Sequence, residues 1–362
     1  MKIVIVITGL ASGGAEGMLV RLLTNLRQRY NLHITIFTLK NVNFFKEDLE
    51  NIGIQVTCIN HGVSFNTIKA VYYLVKVIRT NKPVVNTWLY HADLFGGVVA
   101  KLCGASKIIW SIRQSNILLA YNGLIKALLI RACSILSGII PNLIISCSRD
   151  AIEAHVSIGY DKSKIVMIPN GFDISYFQRY DRFIKLRKLT IIHVGRYDIQ
   201  KNQIGFLRVA QLIKSKYFLA DFYCVGYKVD SRNSELNDLI HNLELNGSVK
   251  LLGERRDVHD LIAKSHCLIS TSLGEGFPNV IAEAMLVGTP VIATNVGDTL
   301  DIMGAKEFIV DSFDVKEIAR KFDLLMSKSN NELSNIVDIN RNRIKALYDI
   351  NIIADKYLQS LM

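Results

Sequence analysis

Glu275 and Glu283 stand with seven residues between them in Ser272-Leu273-Gly274-Glu275-Gly276-Phe277-Pro278-Asn279-Val280-Ile281-Ala282-Glu283-Ala284. The first carboxylate sits in a turn flanked by glycines. The second lies about two turns into the helix that the following apolar run predicts. Two carboxylates at one strand's carboxyl end are suited to accept sugar and ribose hydroxyls, and the free amides around Phe277, Pro278 and Asn279 at the helix start suit an anion. Glu283 is embedded in Val280-Ile281-Ala282-Glu283-Ala284-Met285-Leu286, where a charge is costly without a partner.

A second cluster, Gly195-Arg196-Tyr197-Asp198-Ile199-Gln200-Lys201-Asn202-Gln203, puts a guanidinium and an ammonium five residues apart on a loop that enters a helix. Such a pair can converge on a diphosphate, Arg as a forked donor and Lys as a point charge. Two solvated loop cations are the ordinary alternative, and a position at a strand's carboxyl end weighs against it. A third cluster runs from Thr8 to Glu16, with Gly13 and Gly14 adjacent after a first strand. Adjacent glycines let the backbone approach a ligand, and the helix start behind them favours anions. Neither the G-x-G-x-x-G order nor the G-K-[ST] of a P-loop is present, so a plain tight turn stands beside the ligand loop as a reading.

The elements that must hold these clusters recur along the whole chain. Ile3 to Ile7, His33 to Thr38, Gln55 to Ile59, Val84 to Thr87, Ile108 to Ile112, Leu143 to Ser146 and Lys164 to Ile168 are short β-branched runs, separated by helical patterns such as Glu16 to Arg29. A second series follows with Leu189 to Val194, Ala220 to Val225, Val249 to Leu252, Cys267 to Ser270 and Pro290 to Ala293. Near-continuous apolar strands alternating with helices predict parallel sheets covered on both faces. The fold class is therefore α/β, with two Rossmann-like doubly wound domains facing each other across a cleft, since such sheets bind ligands at the carboxyl ends of their strands. Gly171 to Lys188, polar and basic with aromatic punctuation, reads as the linker.

The chain has 362 residues, half of them hydrophobic and about a fifth charged. That composition excludes disordered, collagenous and low-complexity proteins and asks for two cores. Residues 1–180 hold 19 Lys and Arg against 9 Asp and Glu, and residues 181–362 hold 24 against 23, so almost the whole net charge of +11 lies in the first half. A basic half faces something anionic, a membrane surface or a nucleic acid. Six cysteines lie far apart with no C-x-x-C pair and no His at zinc-ligand spacing, which suits free thiols in a reducing cytoplasm. Met1-Lys2 and the run Ile3 to Ile7 imitate a signal peptide, but the run is short and leads into Gly13-Gly14 and an amphipathic helix, so it reads as a first strand. The most apolar region, Ile117 to Ile145, is interrupted by Lys126, Arg131, Pro141 and Asn142. No uncharged run of ~20 residues exists to span a bilayer, which leaves surface attachment open.

Together these residues resemble the retaining glycosyltransferases of the GT-B type, in the large family four whose hallmark is E-x7-E. The resemblance rests on the run from Glu275 to Thr294, on Gly13-Gly14-Ala15-Glu16, on Ile168-Pro169-Asn170-Gly171 and on Gly195-Arg196-x4-Lys201-Asn202. It implies an acceptor domain of residues 1–172 with the returning tail 344–362, and a donor domain of residues 173–343. It further implies that Arg196 and Lys201 neutralise the donor diphosphate, that Glu283 holds the ribose, and that Glu275 binds the transferred sugar. Gly14 would bring its amide to the phosphate, with Gly13, Asn170, Gly195, Gly276, Phe277, Pro278 and Asn279 lining the donor. Many members place a His after the fifth strand of the first domain. Here that stretch, Ile108-Ile109-Trp110-Ser111-Ile112-Arg113-Gln114, offers Arg113, and His91 in Trp88-Leu89-Tyr90-His91-Ala92-Asp93 is the other positioning candidate.

The expectation is a hexosyltransferase that retains configuration and moves a sugar from a nucleotide-sugar donor, UDP-linked, to a lipid-linked glycan of surface polysaccharide. It needs no cofactor, and the absence of a D-x-D motif agrees with metal independence. It works in the cytoplasm, peripherally at an anionic membrane surface, through basic and apolar side chains of Phe65 to Lys82 and Ile117 to Arg131. A nucleotide-sugar epimerase or a phosphorylase on the same fold is the nearest alternative, although nothing marks a lysine for pyridoxal phosphate. A non-enzymatic nucleic-acid module is more remote: no recognition helix, finger or aromatic RNA motif is present, and nucleic acid is not expected as a partner.

Overall fold

The β-branched runs form strands, and every strand pairing is parallel. A computed structural model of the chain describes residues 1–59, 65–115, 117, 119–180 and 187–362, without the side chains of residues 65, 66 and 119–122. The chain forms two compact units, Met1–Phe172 with Tyr348–Met362, and Asp173–Leu347. The sequence reading placed the return at residue 344; the units divide one helical turn later.

In the first unit, β1 (Lys2–Ile7), β2 (His33–Thr38), β3 (Gln55–Cys58), β4 (Val84–Trp88), β5 (Lys107–Ile112), β6 (Leu143–Ser146) and β7 (Ile165–Met167) make one sheet in the order β3-β2-β1-β4-β5-β6-β7. Successive side chains of a strand point to opposite faces, and β1 shows the result. Ile3, Ile5 and Ile7 are buried in one core beneath helices Gly14–Arg29 and Ile350–Leu361, whereas Val4 and Val6 belong to another core containing Leu74, Ile78, Ala92 and Ile130. Helix Tyr90–Cys103 lies close against the sheet because Gly96 and Gly97 carry no side chain: a Cβ on Gly96 would stand 3.0 Å from Val6, and one on Gly97 would stand 2.6 Å from Trp110 Nε1.

The final helix is tied to helix Gly14–Arg29 at its rim. Asn25 Nδ2 donates to Asn351 Oδ1 at 2.9 Å, and Tyr30 Oη donates to Asp355 at 2.8 Å. The two chain segments meet at a short parallel bridge, where Phe172 N–H donates to the Tyr348 carbonyl at 2.8 Å and Ile350 N–H to the Phe172 carbonyl at 2.9 Å. Gly171 allows this approach, since a Cβ there would lie 3.0 Å from Ile350 Cα.

In the second unit, β8 (Thr190–Val194), β9 (Asp221–Val225), β10 (Val249–Leu251), β11 (Cys267–Ser270), β12 (Val291–Thr294) and β13 (Ile309–Val310) take the order β10-β9-β8-β11-β12-β13. The two-residue β13 was not read from the sequence. The stretch taken as a linker is partly structured: Ile174–Phe177 is a helical turn, its start capped by Asp173, and Gln178–Tyr180 continues it as a 3-10 turn. Residues 181–186 of that stretch lie outside the described residues.

Candidate functional site

The order of the second sheet reverses between β8 and β11, and in open parallel sheets the carboxyl-end crevice at such a reversal is where ligands bind. Both charged clusters of the second half emerge there. Residues 195–202 follow β8, and residues 271–278 follow β11.

The two loops are joined by a charge pair and by backbone. Lys201 Nζ donates to Glu275 Oε1, with the side chains 23% and 11% exposed, and Ser272 Oγ donates to the same oxygen at 2.7 Å. Leu273 N–H donates to the Gln200 carbonyl at 2.7 Å, and Thr271 Oγ1 donates to the Asn202 carbonyl at 2.9 Å. Asn202, at φ 52°, caps helix Gln203–Lys216 through its side-chain oxygen. Gly195 makes room for the lysine stem, since a Cβ there would meet Lys201 Cγ at 3.0 Å. Gly297 has φ 57°, and a Cβ on it would run into the carbonyls of Glu275 and Gly276. A side chain at 297 would thus be strained and would displace the Glu275 turn.

Arg196 is 62% exposed and is braced by its own loop, Nε donating to Asp198 Oδ2 at 3.0 Å. Gly276, Phe277 and Pro278 are buried, and Pro278 immediately precedes helix Asn279–Leu286. Glu283 lies one turn into that helix, rather than two as read from the sequence. Ile281, Ala282, Ala284 and Met285 around it are buried, while its own side chain is 14% exposed with Oε2 3.6 Å from His259 Nε2. His259 was missed in the sequence, where nothing connects it to residue 283.

Under these loops lies His193, at the end of β8. Its Nδ1–H donates to the Ile269 carbonyl at 3.0 Å, its ring stacks on Phe206 at 5.0 Å, and Nε2 is buried with no hydrogen-bond partner among the described residues. Burial, which disfavours the charged form, pushes the imidazole down to about 4, with the Lys201 charge acting in the same direction.

The remaining candidates belong to the first unit, whose own sheet reverses between β1 and β4. Gly13 precedes helix Gly14–Arg29, and a Cβ there would collide with the Glu16 carboxylate. His91 is exposed in the first turn of helix Tyr90–Cys103, after Leu89 with φ 73° and ψ 149°, a backbone region nearly confined to glycine. Arg113 follows β5. Its guanidinium carbon lies 3.8 Å from the centroid of the Trp88 ring, NH1 donates to Asn170 Oδ1 at 3.2 Å, and Nε and NH2 are buried with no hydrogen-bond partner among the described residues. Much of its donor capacity is thus turned onto an aromatic face. Beneath it, Asn86 Oδ1 accepts from Trp88 Nε1 at 2.6 Å and from Tyr357 Oη at 2.5 Å. Burial also pushes the Asp93 carboxyl up to about 8, against the donation from Thr87 Oγ1. The structure therefore groups Arg113 with Asn170, and Lys201 with Glu275.

Residues 188–328, within the second unit, match the family model described as Glycosyl transferases group 1. An uncharacterized glycosyltransferase of Methanocaldococcus jannaschii is 28% identical over 250 residues, covering 64% of this chain and 60% of that relative's length. A UDP-Gal:alpha-D-GlcNAc-diphosphoundecaprenol alpha-1,3-galactosyltransferase of Escherichia coli is 25% identical over 328 residues, 83% of this chain and 81% of the relative. Among solved structures, HepE of Anabaena in complex with UDP-glucose superposes with a TM-score of 0.84 at 20% identity, over 100% of this chain and 99% of that one. The fold is the GT-B architecture of two parallel-sheet α/β domains.

The buried imidazole of His193 gives the second unit an acid-labile support. Its folded value lies below the ordinary value near 6.5, so the unfolded chain binds the proton more readily. Stability is fully present above about pH 6.5 and falls as the pH drops toward 4, by up to about 1.4 kcal/mol for each pH unit. His193→Phe is expected to flatten this dependence. Urea midpoints of the second unit's transition, measured between pH 7 and pH 4.5 in both proteins, check it.

Proposed function

We propose that the chain is a hexosyltransferase that retains configuration and, without a metal, moves a sugar from a UDP-sugar to a lipid-linked oligosaccharide during surface-polysaccharide synthesis. The observation that carries this reading is the Lys201–Glu275 pair at the β8/β11 reversal, inside the segment that matches group 1 glycosyl transferases. A cation and a carboxylate held side by side match a donor whose diphosphate and sugar are adjacent groups. The relative from Escherichia coli is named for a UDP-sugar donor and a diphosphoundecaprenol-linked acceptor, which supports both halves of the reading.

In this mechanism the donor diphosphate takes over the Lys201 ammonium, and Glu275 is released to accept hydroxyls of the sugar. Glu283 accepts the ribose hydroxyls. As the bond from the anomeric carbon to phosphate breaks, Lys201 and Arg196 stabilise the growing charge on the leaving diphosphate, and charges fixed in advance do this with little reorganisation. The acceptor hydroxyl attacks from the face of departure and passes its proton to the departing phosphate oxygen. No side chain is assigned as a nucleophile.

The acceptor is assigned to the first unit and the membrane to its surface. That unit holds 19 Lys and Arg against 10 Asp and Glu, and the second holds 24 against 22. Helix Phe65–Asn81 exposes Ile68 and Tyr72 beside Lys69, Lys76 and Arg79, and helix Leu119–Ser137 exposes Leu124, Ile125 and Leu128 ahead of Arg131. Exposed apolar side chains rimmed by cations are the composition of an interfacial helix face. Among the described residues no helix is long and apolar enough to cross a membrane.

Lys201→Ala and Glu283→Ala are each expected to lower transfer by about 100-fold or more, the scale of losing one charge-stabilising contact, with the unfolding temperature kept. A screen of nucleotide sugars on a short lipid-diphosphate sugar, read by mass spectrometry, measures this, and wild-type turnover in both variants would remove the donor site. Transfer is expected to persist in EDTA; loss that manganese restores would overturn metal independence. The full chain is expected to sediment with anionic vesicles at low salt and to be released as salt rises, with Ile125→Glu binding more weakly. Failure of the unaltered chain to sediment at low salt would refute the membrane assignment.

A further inference from the structure

A line of polar side chains ends on Glu283, entirely within the second unit. Arg179 NH2 donates to the Tyr176 hydroxyl at 2.5 Å, and its guanidinium carbon lies 4.1 Å from that ring's centroid. The Tyr176 hydroxyl is 3.1 Å from His259 Nδ1, and His259 Nε2 is 3.6 Å from Glu283 Oε2. Phe177 closes on the imidazole in a tilted contact with centroids 5.0 Å apart. Arg179 is itself anchored, by Asp260 at 3.7 Å and by the Tyr180 hydroxyl, which donates to Asp260 Oδ1 at 2.6 Å.

A guanidinium only donates, so the Tyr176 oxygen accepts from Arg179 and its one proton is available to His259 Nδ1. A neutral imidazole that accepts at Nδ1 carries its proton at Nε2. That N–H faces Glu283.

We infer that His259 is a positioning residue for donor binding, fixed by Tyr176 and Arg179 as the Nε2–H tautomer so that it orients the Glu283 carboxylate toward the donor ribose. The inference rests on Glu283 being the ribose acceptor, as proposed above. At 3.6 Å the contact is longer than a formed hydrogen bond. The imidazole acts as a directed dipole in the free protein and closes on the carboxylate when the ribose draws Glu283 into line, as hydrogen bonds of ligand-free sites commonly do. The segment 174–180, which the sequence presented as linker, thereby becomes support for the donor site.

The test uses the full chain, with UDP as the calorimetric probe and thermal unfolding as the control for folding. His259→Ala is expected to weaken UDP binding about tenfold, the scale of one hydrogen bond lost. His259→Gln, whose amide can still donate, is expected to recover most of it. Glu283→Ala is expected to weaken binding as well, and the double variant no further than Glu283→Ala alone. In a protein labelled with 15N-histidine, the His259 signals, assigned with His259→Gln, are expected to report a proton on Nε2 and to turn to a tautomer mixture in Tyr176→Phe. Unchanged binding in His259→Ala, no recovery with glutamine in a folded protein, additive losses in the double variant, or a proton on Nδ1 would each overturn the inference. Unchanged binding in Glu283→Ala would instead overturn the ribose assignment beneath it.

Discussion

A carboxylate only 11% exposed needs a cation beside it, and much of the second unit's carboxyl edge follows from that requirement at Glu275. The cation comes from Lys201, on a loop that leaves a different strand, so the two loops must be locked in register. The Leu273–Gln200 and Thr271–Asn202 hydrogen bonds do this with main-chain groups that also need partners. The same requirement dictates small residues nearby. Gly195 yields to the lysine stem, and Gly297 lets the loop after β12 run under the carbonyls of Glu275 and Gly276. Thr294 Oγ1 donating to the Ser272 carbonyl at 2.5 Å ties that third loop to the same turn. A site assembled this way holds its charges before any ligand arrives, and a bound anion would redistribute the pair rather than create it.

Legibility in the sequence followed the range of the interaction. The strands and their parallel pairing were visible because burial on both faces writes itself as unbroken β-branched runs such as Ile3 to Ile7. Glu275, Lys201 and Gly195 were visible because each stands within a few residues of a strand end. What stayed hidden depends on residues distant in sequence. His259 and Glu283 meet only because helices Val258–Lys264 and Asn279–Leu286 are neighbours in the fold, and Tyr176 reaches His259 across 83 positions. The pair Ile309–Val310 is too short for a pattern of period two to register.

Charge behaved differently from pattern. A surplus of ten cations in residues 1–180 survives as a surplus of nine when the chain is divided by its compact units instead, so it belongs to a folded body rather than to a stretch of sequence. Its placement matters more than its size. On helices Phe65–Asn81 and Leu119–Ser137 the inward faces carry Leu74, Ile78 and Ile130 into the core, yet Ile68, Tyr72, Leu124, Ile125 and Leu128 remain outside. Core formation does not account for those outward apolar residues, and the cations beside them are the groups that the proposed anionic membrane surface would engage.

The returning tail gives the first unit its least local interaction and a reason for the chain to come back. Tyr357 is wholly buried, and its hydroxyl meets Asn86 on β4, whose side-chain oxygen also holds the indole N–H of Trp88. The Trp88 ring is therefore held by that hydrogen bond, and the Arg113 guanidinium stands over it while NH1 reaches Asn170. An arginine in that setting is a different instrument from an exposed imidazole. Its position is set by an aromatic face that a helix from the far end of the chain holds through Asn86. His91, on the turn strained at Leu89, is exposed instead. Trp88 and Asn170 thus hold Arg113 directly, and Tyr357 from the far end of the chain holds Trp88 through Asn86, so the cation's desolvation is offset by an aromatic face whose own orientation is fixed.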